Sequence, residues 1–503
     1  MKKAFWVLPL FLLLFLLSGC GQSEQQIHSL EDLNGKTLAI YSNSQAGYTL
    51  AEEYPEINQV YLFTVSDMLL QLRQGKIDAF CMDYPTYVAM ARTENDIVCL
   101  DEPVCRSYTI LYFAETDRSK LLLSQFNELL ARYREDGTLS ALEDKWFYSD
   151  AGESDGVDFS GTDGETEISI AYATQNYPYI YLIGDEIAGY EADLLTAFCR
   201  EYGYSQEINS VSWESMAAGV AVGTYEIGSG NIMYSGESTI GVIASDPISE
   251  YDVVVVVLNE SAEKTGLLTK ISQSFTKTFL EENRWLTILK GLGVTAALSV
   301  LAVLLGTVFG FVLYMLLRRE TRLNRVLENA YLCFVRRTPA VVILMIFCYI
   351  LFPGGAVPLF LISVFAFAFL FGADVLSGLT AAVSTVDAGQ RRAALALGYT
   401  ERQAFFRVVL PQAQRLFLPG WRNSVLALVQ STSIVGYVAV QDLTMAANLI
   451  RSRIFDPFGP LIAAAIVYFL LAWLLERLTL LLIHAVDNRR RSPEKILKGA
   501  DKA

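Results

Sequence analysis

The chain has 503 residues, of which 52% are hydrophobic, and a formal net charge of −15. The charge is uneven, because residues 21–290 carry 43 acidic and 16 basic side chains whereas residues 291–503 carry 11 and 21. This length and asymmetry predict more than one domain, and the acidic part excludes nucleic acid as its partner, since phosphate contacts need clustered Lys and Arg.

The first twenty residues have the layout of a signal peptide. Two lysines precede an apolar run, and Leu17, Ser18 and Gly19 precede Cys20. The run is short for a membrane-spanning helix. The small residues before the cysteine resemble the bacterial lipobox, which implies that Cys20 is lipidated and becomes the first residue of the mature chain. An uncleaved anchor is the alternative, and both interpretations predict that the following residues are exported.

The exported part alternates strand-like and helix-like stretches twice. Residues 36–148 begin with the strand-like run KTLAIYS, and residues 166–258 begin with EISIAYA, followed by the helix-like DLLTAFCREYGY. Strands that alternate with helices predict an α/β fold with open sheets. Residues 149–165, rich in Gly, Asp and Ser, predict a flexible linker. Cys99 and Cys105 could form a disulfide or remain thiols, and no cysteine spacing matches a zinc site.

The rest of the chain contains five apolar blocks. Each is near the length of about 20 residues that a helix needs to cross the hydrocarbon core. The positive-inside rule places the arginine-rich loops in the cytoplasm. We therefore expect a membrane domain over 285–487 with about five helices, the first part of the chain outside, and a cytoplasmic tail over 488–503. The blocks are 292–317, 338–352, 357–376, 416–438 and 460–485.

The loop between the third and fourth blocks contains a half-charged stretch, RRAALALGYTERQAFFRVVLPQ, at 391–412. Residues 393–397 favour a short helix that Gly398 can cap. Thr400 with Gln403 three positions later has the form of a capping box that starts a second helix. The loop is therefore expected to present two short helices to the cytoplasm.

The second of these helices is expected to end at Pro411, which lacks an amide donor and clashes with the preceding turn. It carries an apolar stripe that either docks into a groove of a cytoplasmic partner or packs against its own helices. The stripe consists of Ala404, Phe405, Val408 and Val409 at helical spacing.

This loop resembles the coupling loop of ABC-importer permeases, in which EAA is followed by a glycine and then by Leu-Pro. Arg392 stands where that pattern has its glutamate. The sequences RRTP at 336–339 and GQ at 389–390 also resemble landmarks of the polar amino acid permease family. The matching loop positions are Ala393, Ala394, Gly398, Leu410 and Pro411.

The resemblance implies an all-α transmembrane permease domain with two kinds of partner. One is a second permease subunit, in a homodimer or a heterodimer, and the other is a dimer of ABC ATPase subunits. The chain has no G-x-x-x-x-G-K-[ST] loop to hold nucleotide phosphates, so ATP hydrolysis is expected on a separate polypeptide.

The exported part resembles amino-acid-type solute-binding proteins with their two halves in reversed order. GKTLAIYSNS and GKIDAFCMDYP match the second half of such proteins, whereas GYEADL, WESMAAG and SDP match the first half and come later. The resemblance implies a two-lobed, periplasmic-binding-protein-like clamp of type II that is circularly permuted. Residues 27–148 would form lobe two and return to lobe one, and residues 166–260 would complete lobe one. Two degraded half-copies are the alternative.

The same resemblance implies a solute site between the lobes. Asp83 stands at the carboxylate that receives the solute ammonium, and Ser44 at a hydroxyl on a helix N-terminus, where backbone amides attract an anion. Ser238 stands where the family has an arginine that binds the α-carboxylate, which favours an amine-bearing solute. Asp83 as a helix cap, and the tyrosines as packing residues, are alternatives. The other expected site residues are Tyr41, Asn176, Tyr177, Tyr179, Gly230, Asn231 and Met233.

Together these interpretations predict the substrate-binding and permease subunit of an ATP-driven ABC importer in a bacterial cell membrane. Its cargo would be a polar amino acid or a related amine-bearing small solute, and no cofactor or metal is expected. The alternative is a degenerate solute-sensing or regulatory membrane receptor with weak or no transport. An enzyme is not expected, because the two histidines, His28 and His484, have neither a nucleophile nor a metal partner in the sequence.

Overall fold

The computed structural model describes residues 27–41, 44–149, 156–183, 186–234, 241–259, 267–319, 321–352 and 357–486. The predictions on Cys20, on Ser238 and on the tail 488–503 concern positions outside the described residues.

The acidic part of the chain is built on strands that we number in chain order. Those in the described residues are β1 (Thr37–Ile40), β2 (Asn58–Tyr61), β3 (Ala79–Asp83), β4 (Ile97–Cys99), β5 (Cys105–Ala114), β6 (Thr166–Ala173), β7 (Tyr181–Ile183), β8 (Glu186–Ala188), β9 (Tyr204–Val211), β10 (Ile227–Met233), β11 (Val242–Ala244) and β12 (Ser249–Leu258). One mixed sheet has the order β2-β1-β3-β12-β5-β10-β6-β9, with β4 on β12 and β11 on β5. β7 and β8 form a separate hairpin.

The sheet has a parallel half at each end and two long antiparallel strands between them. β1 pairs in parallel with β2 and β3, and we call this half lobe two. β6 pairs in parallel with β9 and β10, and we call this half lobe one. β5 and β12 pair with each other and connect the lobes, because β12 also pairs with β3 and β5 with β10. The chain builds lobe two before lobe one, the order that a circular permutation predicts.

Seven helices in the described residues cover this sheet, and most begin at a polar N-cap. The side chains of Ser44, Thr64, Asp83, Thr116 and Ser212 each accept a hydrogen bond from an amide in the first turn, which satisfies donors that a helix end leaves unpaired. The helices are α1 (Gln45–Glu53), α2 (Val65–Arg73), α3 (Tyr84–Ala91), α4 (Asp117–Glu135), α5 (Thr138–Glu143), α6 (Tyr190–Tyr202) and α7 (Trp213–Ala221).

Aromatic side chains form the centre of the core under lobe one. Phe113 of β5, Phe126 of α4 and Phe198 of α6 are fully buried. The rings of Phe126 and Phe198 meet edge to face with centroids 5.4 Å apart, a geometry that aromatic pairs prefer. Each such side chain contributes about 1.5–3 kcal/mol by leaving water, so this cluster fixes α4 and α6 on the sheet.

The second part of the chain is helical throughout its described residues. Its α-helices are α8 (Leu267–Phe275), α9 (Trp285–Leu317), α10 (Arg322–Arg337), α11 (Ala340–Met345), α12 (Leu359–Ser384), α13 (Ala388–Ala396), α14 (Glu401–Ala404), α15 (Leu410–Ser431), α16 (Leu443–Ile454) and α17 (Gly459–Val486). Short π-helical turns extend α11 over Ile346–Leu351 and join α14 to α15 over Phe405–Val409.

Within the described residues, three helices are long and apolar enough to cross a membrane, namely α9, α12 and the Gly459–Leu481 part of α17. Two bent pairs raise the number to five if each pair is one span. α10 with Ala340–Leu351 is bent by 108°, and Glu401–Val438 with α16 is bent by 54°. The expected number of about five helices agrees with the upper figure, and the chain is a multi-pass membrane protein.

Helices α9 and α12 approach each other closely at glycines. A Cβ atom at Gly306 would lie 2.8 Å from the carbonyl oxygen of Ala368, and one at Gly310 would lie 2.6 Å from that of Gly372. Both distances are shorter than a van der Waals contact. Small residues at such crossings let helix backbones approach in a membrane, where packing replaces the hydrophobic effect.

The loop 391–412 forms the two predicted helices, with one correction. Gly398 follows α13 with φ +87°, and the Thr400–Gln403 capping box is present at α14. Pro411 does not end a helix, so that prediction is wrong. It lies in the first turn of α15, directly after the π-helical turn Phe405–Val409.

The apolar stripe of this loop packs against its own helices. Ala404, Phe405 and Val409 are at most 6% exposed. The Phe405 ring stacks on Tyr314 near the end of α9, with centroids 6.1 Å apart. Of the two alternatives for the stripe, the structure therefore supports the intramolecular one.

The clamp formed by the two lobes lies on α16, a helix that the sequence analysis left within a loop. From lobe two, Asp67 pairs with Arg451 at 2.8 Å, and the Ser66 hydroxyl donates to the Arg451 carbonyl. From lobe one, the Ser215 hydroxyl donates to the Tyr437 carbonyl at 2.6 Å. Both lobes therefore contact the same segment of the membrane part, from Tyr437 to Arg451.

Candidate functional site

Asp83 lies where the two lobes meet, at the end of β3 and the start of α3. Its side chain is 1% exposed. Oδ1 accepts hydrogen bonds from the Thr86 amide of lobe two at 2.8 Å and from the Tyr179 hydroxyl of lobe one at 3.1 Å. Burial raises the pKa of Asp83, while the hydrogen bonds from Thr86 and Tyr179 oppose this rise. Asp83 is thus a helix cap and also a carboxylate that bridges the lobes.

Tyrosine side chains surround this carboxylate. Tyr179 is fully buried and its ring centroid lies 6.4 Å from that of Tyr251. Burial and the nearby Asp83 charge raise the pKa values of Tyr41, Tyr179 and Tyr251, so their hydroxyls stay protonated. A carboxylate among electron-rich rings is a suitable environment for an ammonium group, because both attract a cation.

Four of the predicted site residues line one small cavity at this point. Tyr41, Ser44 and Asp83 come from lobe two, and Met233 comes from the end of β10 in lobe one. The cavity has a volume of about 10 Å³, room for about one water molecule. A solute the size of an amino acid therefore needs the lobes to move apart before it reaches Asp83.

The loop at β10 is held by a buried carboxylate that the sequence analysis did not place in the site. Glu191 is fully buried at the start of α6. It accepts hydrogen bonds from the Asn231 amide at 2.8 Å and from the Ser229 hydroxyl. Burial raises the pKa of Glu191 to about 7, against the hydrogen bonds from Ser229, Asn231 and Gly230. In the sequence, the available signal is an acidic residue between Tyr190 and Ala192, at the start of the helix-like stretch.

The backbone of the same loop requires particular residues at positions 230 and 231. Asn231 adopts φ +51°, a left-handed conformation that Asn tolerates better than most residues. A Cβ atom at Gly230 would lie 2.7 Å from the Cβ of Ala173, so glycine is required there. Neither residue lines the small cavity. Their backbone amides instead donate hydrogen bonds to the Glu191 carboxylate.

Asn176, Tyr177 and Tyr179 share one tight loop but do not share one environment. The Asn176 and Ile180 backbones exchange hydrogen bonds of 3.1 and 2.9 Å. Of the two tyrosines, the structure brings Tyr179 to Asp83. The Tyr177 ring lies instead against Arg453 of the membrane part, 4.0 Å from its guanidinium carbon, so Tyr177 does not form the wall of the cavity.

A second, larger cavity lies between the clamp and the ends of the membrane helices that face it. Its volume is about 500 Å³. Leu182 of lobe one lines it together with Lys290, Gly291 and Val294 of α9 and Gln441 before α16. The cavity is large enough for a small solute and opens directly beneath the clamp.

The residues of the loop 391–412 form a compact surface at the end of the helices that lies away from the clamp. Arg391 and Glu401 pair at 2.7 Å and hold α13 against α14. Arg392 and Ala393 are exposed, whereas Ala394 is buried. Leu397, which the sequence analysis did not single out, is 81% exposed at the tip between the two helices.

Metal and disulfide chemistry have no basis in the part of the chain that the structure describes. Within those ranges, no group of three or more His, Cys, Asp or Glu side chains could hold a metal ion. The six described cysteines are free thiols, including Cys99 and Cys105, so the thiol alternative for that pair holds.

Two family models match the chain. The one described as binding-protein-dependent transport system inner membrane component matches residues 302–488. The one described as bacterial extracellular solute-binding proteins, family 3, matches residues 168–392. The second match begins in β6 of lobe one and runs past β12 into membrane helices, although the strands of the clamp begin earlier, at β1.

The membrane part of the chain is similar to known permeases. The L-cystine transport system permease protein TcyB of Bacillus subtilis (strain 168) is 29% identical over 213 residues, covering 42% of this chain and 89% of that protein. The probable amino-acid ABC transporter permease protein YckA of the same organism is 31% identical over 186 residues, covering 36% and 81%. A solved structure, the crystal structure of an amino acid ABC transporter with histidines, is 26% identical with TM-score 0.38, covering 44% of this chain and 100% of that chain.

These relatives are transport components and not enzymes, and the match spans more than two thirds of each permease. The chain therefore belongs to the family of ABC transporter permeases described as binding-protein-dependent transport system inner membrane components, and it carries a family 3 solute-binding region ahead of its membrane helices.

Proposed function

We propose that this chain is the fused solute-binding and permease subunit of an ATP-driven importer for a polar amino acid or a related amine-bearing solute. Residues 27–148 and 166–260 would form one clamp, with 149–165 as its linker and Cys20 as its lipid anchor. Residues 285–487 would form half of the membrane path. A second permease subunit would supply the other half, and two ABC ATPase subunits would supply the energy.

The observation that carries this proposal is the position of Asp83. It is a buried carboxylate, contacted from both lobes of a clamp that is covalently joined to a permease. A solute ammonium that replaced the Tyr179 hydroxyl would keep the Asp83 charge compensated as the lobes close. Closure of this kind excludes water and commits the solute to transport.

The direction of transport is supported by where the functional elements lie along α9. Arg284, at the N-terminal cap of α9, binds Glu282, which in turn binds Arg453 beneath the clamp. At the other end of α9, Arg318 lies 4.6 Å from the Phe405 ring of the coupling loop. A helix of 33 residues is about 50 Å long, so the clamp and the loop would lie on opposite sides of the membrane. The arginines of the loop place it in the cytoplasm by the positive-inside rule, and the clamp would then lie outside.

The solute class is supported by charge. Between 149 and 263 the sequence has one basic residue, Arg200, whose guanidinium binds the backbone at Asp158 and Ser160 on the surface. The names of the relatives include L-cystine and amino-acid transport. An amino acid or a simple amine would satisfy Asp83, and the two differ in whether a carboxylate must also be bound.

The test is a thermal-shift measurement on the full chain in lipid nanodiscs. The probes are L-cystine, L-glutamine, L-lysine and L-arginine, with cadaverine and agmatine as the decarboxylated forms of the last two. A probe at 100 times its dissociation constant stabilises the chain by about 2.7 kcal/mol and raises its melting temperature. Asp83→Asn should abolish the shift, because it removes the charge while asparagine still caps α3.

Asp252→Asn is the matched control. Asp252 also lies on a strand between the lobes, but its exposed side chain pairs with Arg106, away from the cavity, and the shift should persist. A shift that survives Asp83→Asn would contradict the proposed site. The absence of a shift with every probe would instead favour the second candidate, a degenerate solute-sensing or regulatory membrane receptor with weak or no transport.

A further inference from the structure

Arg453, near the end of α16, inserts its side chain between two tyrosines of the clamp. Its guanidinium carbon lies 4.0 Å from the ring centroid of Tyr177 and 4.8 Å from that of Tyr181. The side chain is 10% exposed, and Phe455 closes the group with its ring centroid 6.0 Å from that of Tyr177. Cation–π contacts are strongest when they are shielded from water in this way.

The guanidinium is also fixed from the permease side. Its Nη2 donates to Glu282 Oε1 at 2.9 Å, and the same oxygen accepts from Arg284 Nη2 at 2.9 Å. Arg284 is the N-cap residue of α9. Arg453 is therefore held at a defined place relative to the first membrane helix, and the two tyrosine rings are held on it.

The tyrosines that Arg453 contacts, Tyr177 and Tyr181, lie on either side of Tyr179, whose hydroxyl bonds to Asp83. The loop is closed by the Asn176–Ile180 backbone hydrogen bonds, and the Tyr179 carbonyl accepts from the Glu191 amide at 2.9 Å. With Tyr177 and Tyr181 fixed, the Tyr179 hydroxyl lies 3.1 Å from Asp83 Oδ1. Within the clamp, Tyr179 also contacts Phe147, with ring centroids 4.8 Å apart. The contact of Arg453 with the residues on either side of Tyr179 is the one that the permease supplies.

We propose that Arg453 is a positioning residue for the solute site, through which the permease holds the Tyr177–Tyr181 loop and sets the place of Tyr179 beside Asp83. The proposal rests on the proposed function for the meaning of the site. It implies that the site is complete only when lobe one is docked on Arg453, so that this one contact and solute binding favour each other.

The first test does not require a known solute. Hydrogen–deuterium exchange is measured on the full chain in nanodiscs, at the amides of Asn176, Ile180 and Glu191, which report on the loop. Arg453→Met should raise their exchange by roughly tenfold, the loss expected for one shielded cation–π pair. Arg453→Lys, which keeps a cation over the rings, should exchange much closer to the parent chain.

The matched control is Arg451→Met, two residues away on the same helix. Arg451 binds Asp67 and Thr64 of lobe two, so its loss weakens docking without touching the tyrosine loop. Loop exchange should stay within about twofold of the parent chain, since additivity holds for contacts without shared partners. Tyr177→Leu, which removes the ring from the clamp side, should reproduce the effect of Arg453→Met.

Equal loop exchange in Arg453→Met and the parent chain would overturn the proposal. So would an equal increase in Arg451→Met, because the loop would then respond to docking in general. If L-lysine or another of the named probes shifts the parent chain, its dissociation constant should rise about tenfold in Arg453→Met. If no probe binds, the proposed function fails while the exchange result still decides the role of Arg453.

Discussion

At the scale of single residues, the site depends on two buried carboxylates with different tasks. Asp83 faces the cavity and bridges the lobes, whereas Glu191 faces away from it and binds the loop amides beside Asn231. Glu191 has hydrogen-bond donors around it and no ion pair among the described residues. Its ionised form is therefore disfavoured by burial, which is why its pKa rises to about 7.

This shift predicts that the clamp loses stability as the pH rises. The pKa of Glu191 is about 7 in the folded chain, against 4.5 as its ordinary value, so the folded state keeps a proton that the unfolded state releases. The stabilisation is complete below about 4.5 and is lost as the pH passes about 7, a difference on the order of 3 kcal/mol. The thermal midpoint by tryptophan fluorescence should fall from pH 5 to pH 7.5, and Glu191→Gln should flatten this fall.

Glu226→Gln serves as the control for that measurement. Glu226 lies in the same lobe but pairs with Arg118 at 2.8 Å, so the parent pH dependence should persist. Since burial also raises the pKa of Asp83, some slope in the same direction should remain in Glu191→Gln. A slope identical to that of the parent chain would show that Glu191 is ionised throughout the range.

Part of the site was accessible from the sequence at this scale. Asp83, Tyr41, Ser44 and Met233 were predicted as lining residues and meet in one cavity. The separate tasks of Tyr177 and Tyr179 could not be predicted, because the partner of Tyr177 is an arginine far along the chain in a segment that reads as a loop. Helix α16 was not predicted either, because a short helix between membrane spans has too few turns for a clear periodicity.

At the scale of elements, the loop 391–412 is a braced tip, and Leu397 is the most exposed of its large apolar side chains. The Arg391–Glu401 pair and the Thr400–Gln403 capping box fix α13 against α14, and Phe405 fixes both on α9 through Tyr314. Leu397 remains 81% exposed. The sequence predicted both helices because caps are local, whereas which apolar residues stay exposed depends on tertiary packing.

We therefore predict that Leu397→Glu weakens the association with the ATPase subunits. Burying a leucine at an interface contributes about 1.5–3 kcal/mol, so the dissociation constant should rise at least tenfold. The measurement is co-purification of the ATPase chain with this one, together with ATP hydrolysis in nanodiscs. Leu397→Met keeps an apolar side chain of similar volume and should bind as the parent does. Undiminished co-purification of Leu397→Glu would exclude the tip as the contact.

At the scale of the whole molecule, α16 holds both lobes through neighbouring arginines. Arg451 binds Asp67 of lobe two, and Arg453 lies on Tyr177 of lobe one. Lobe opening must therefore break at least one of these contacts, whereas a closed clamp keeps both. At its other end, α9 reaches the loop 391–412, and α15 runs from the same loop towards Tyr437, which Ser215 of lobe one contacts. A change in docking therefore has two helices through which it could act on that loop.

The contact of lobe two should behave as one coupled unit in a double-mutant cycle. The Asp67 carboxylate accepts from Thr64 at 2.7 Å and from Arg451 at 2.8 Å, and the Arg451 side chain is 14% exposed. Asp67→Asn and Arg451→Met should each speed the amide exchange of α2, and the double variant should exchange little faster than either. The expected coupling is about 1 kcal/mol, above the typical value for an exposed pair because this one is partly buried.

A reference double-mutant cycle is made on the exposed pair Arg132–Glu201 within lobe one. Its variants should leave the amide exchange of α2 almost unchanged. Additive effects of Asp67→Asn and Arg451→Met would mean that the two side chains act independently, and that lobe two is held by its other contacts, among them the Ser66 hydrogen bond and the Lys277–Glu94 pair. A coupled result would instead make Arg451 the counterpart of Arg453. The two arginines of α16 would then bind Asp67 and Tyr177 at the same time only when the clamp is closed, so these contacts would depend on the separation of the lobes.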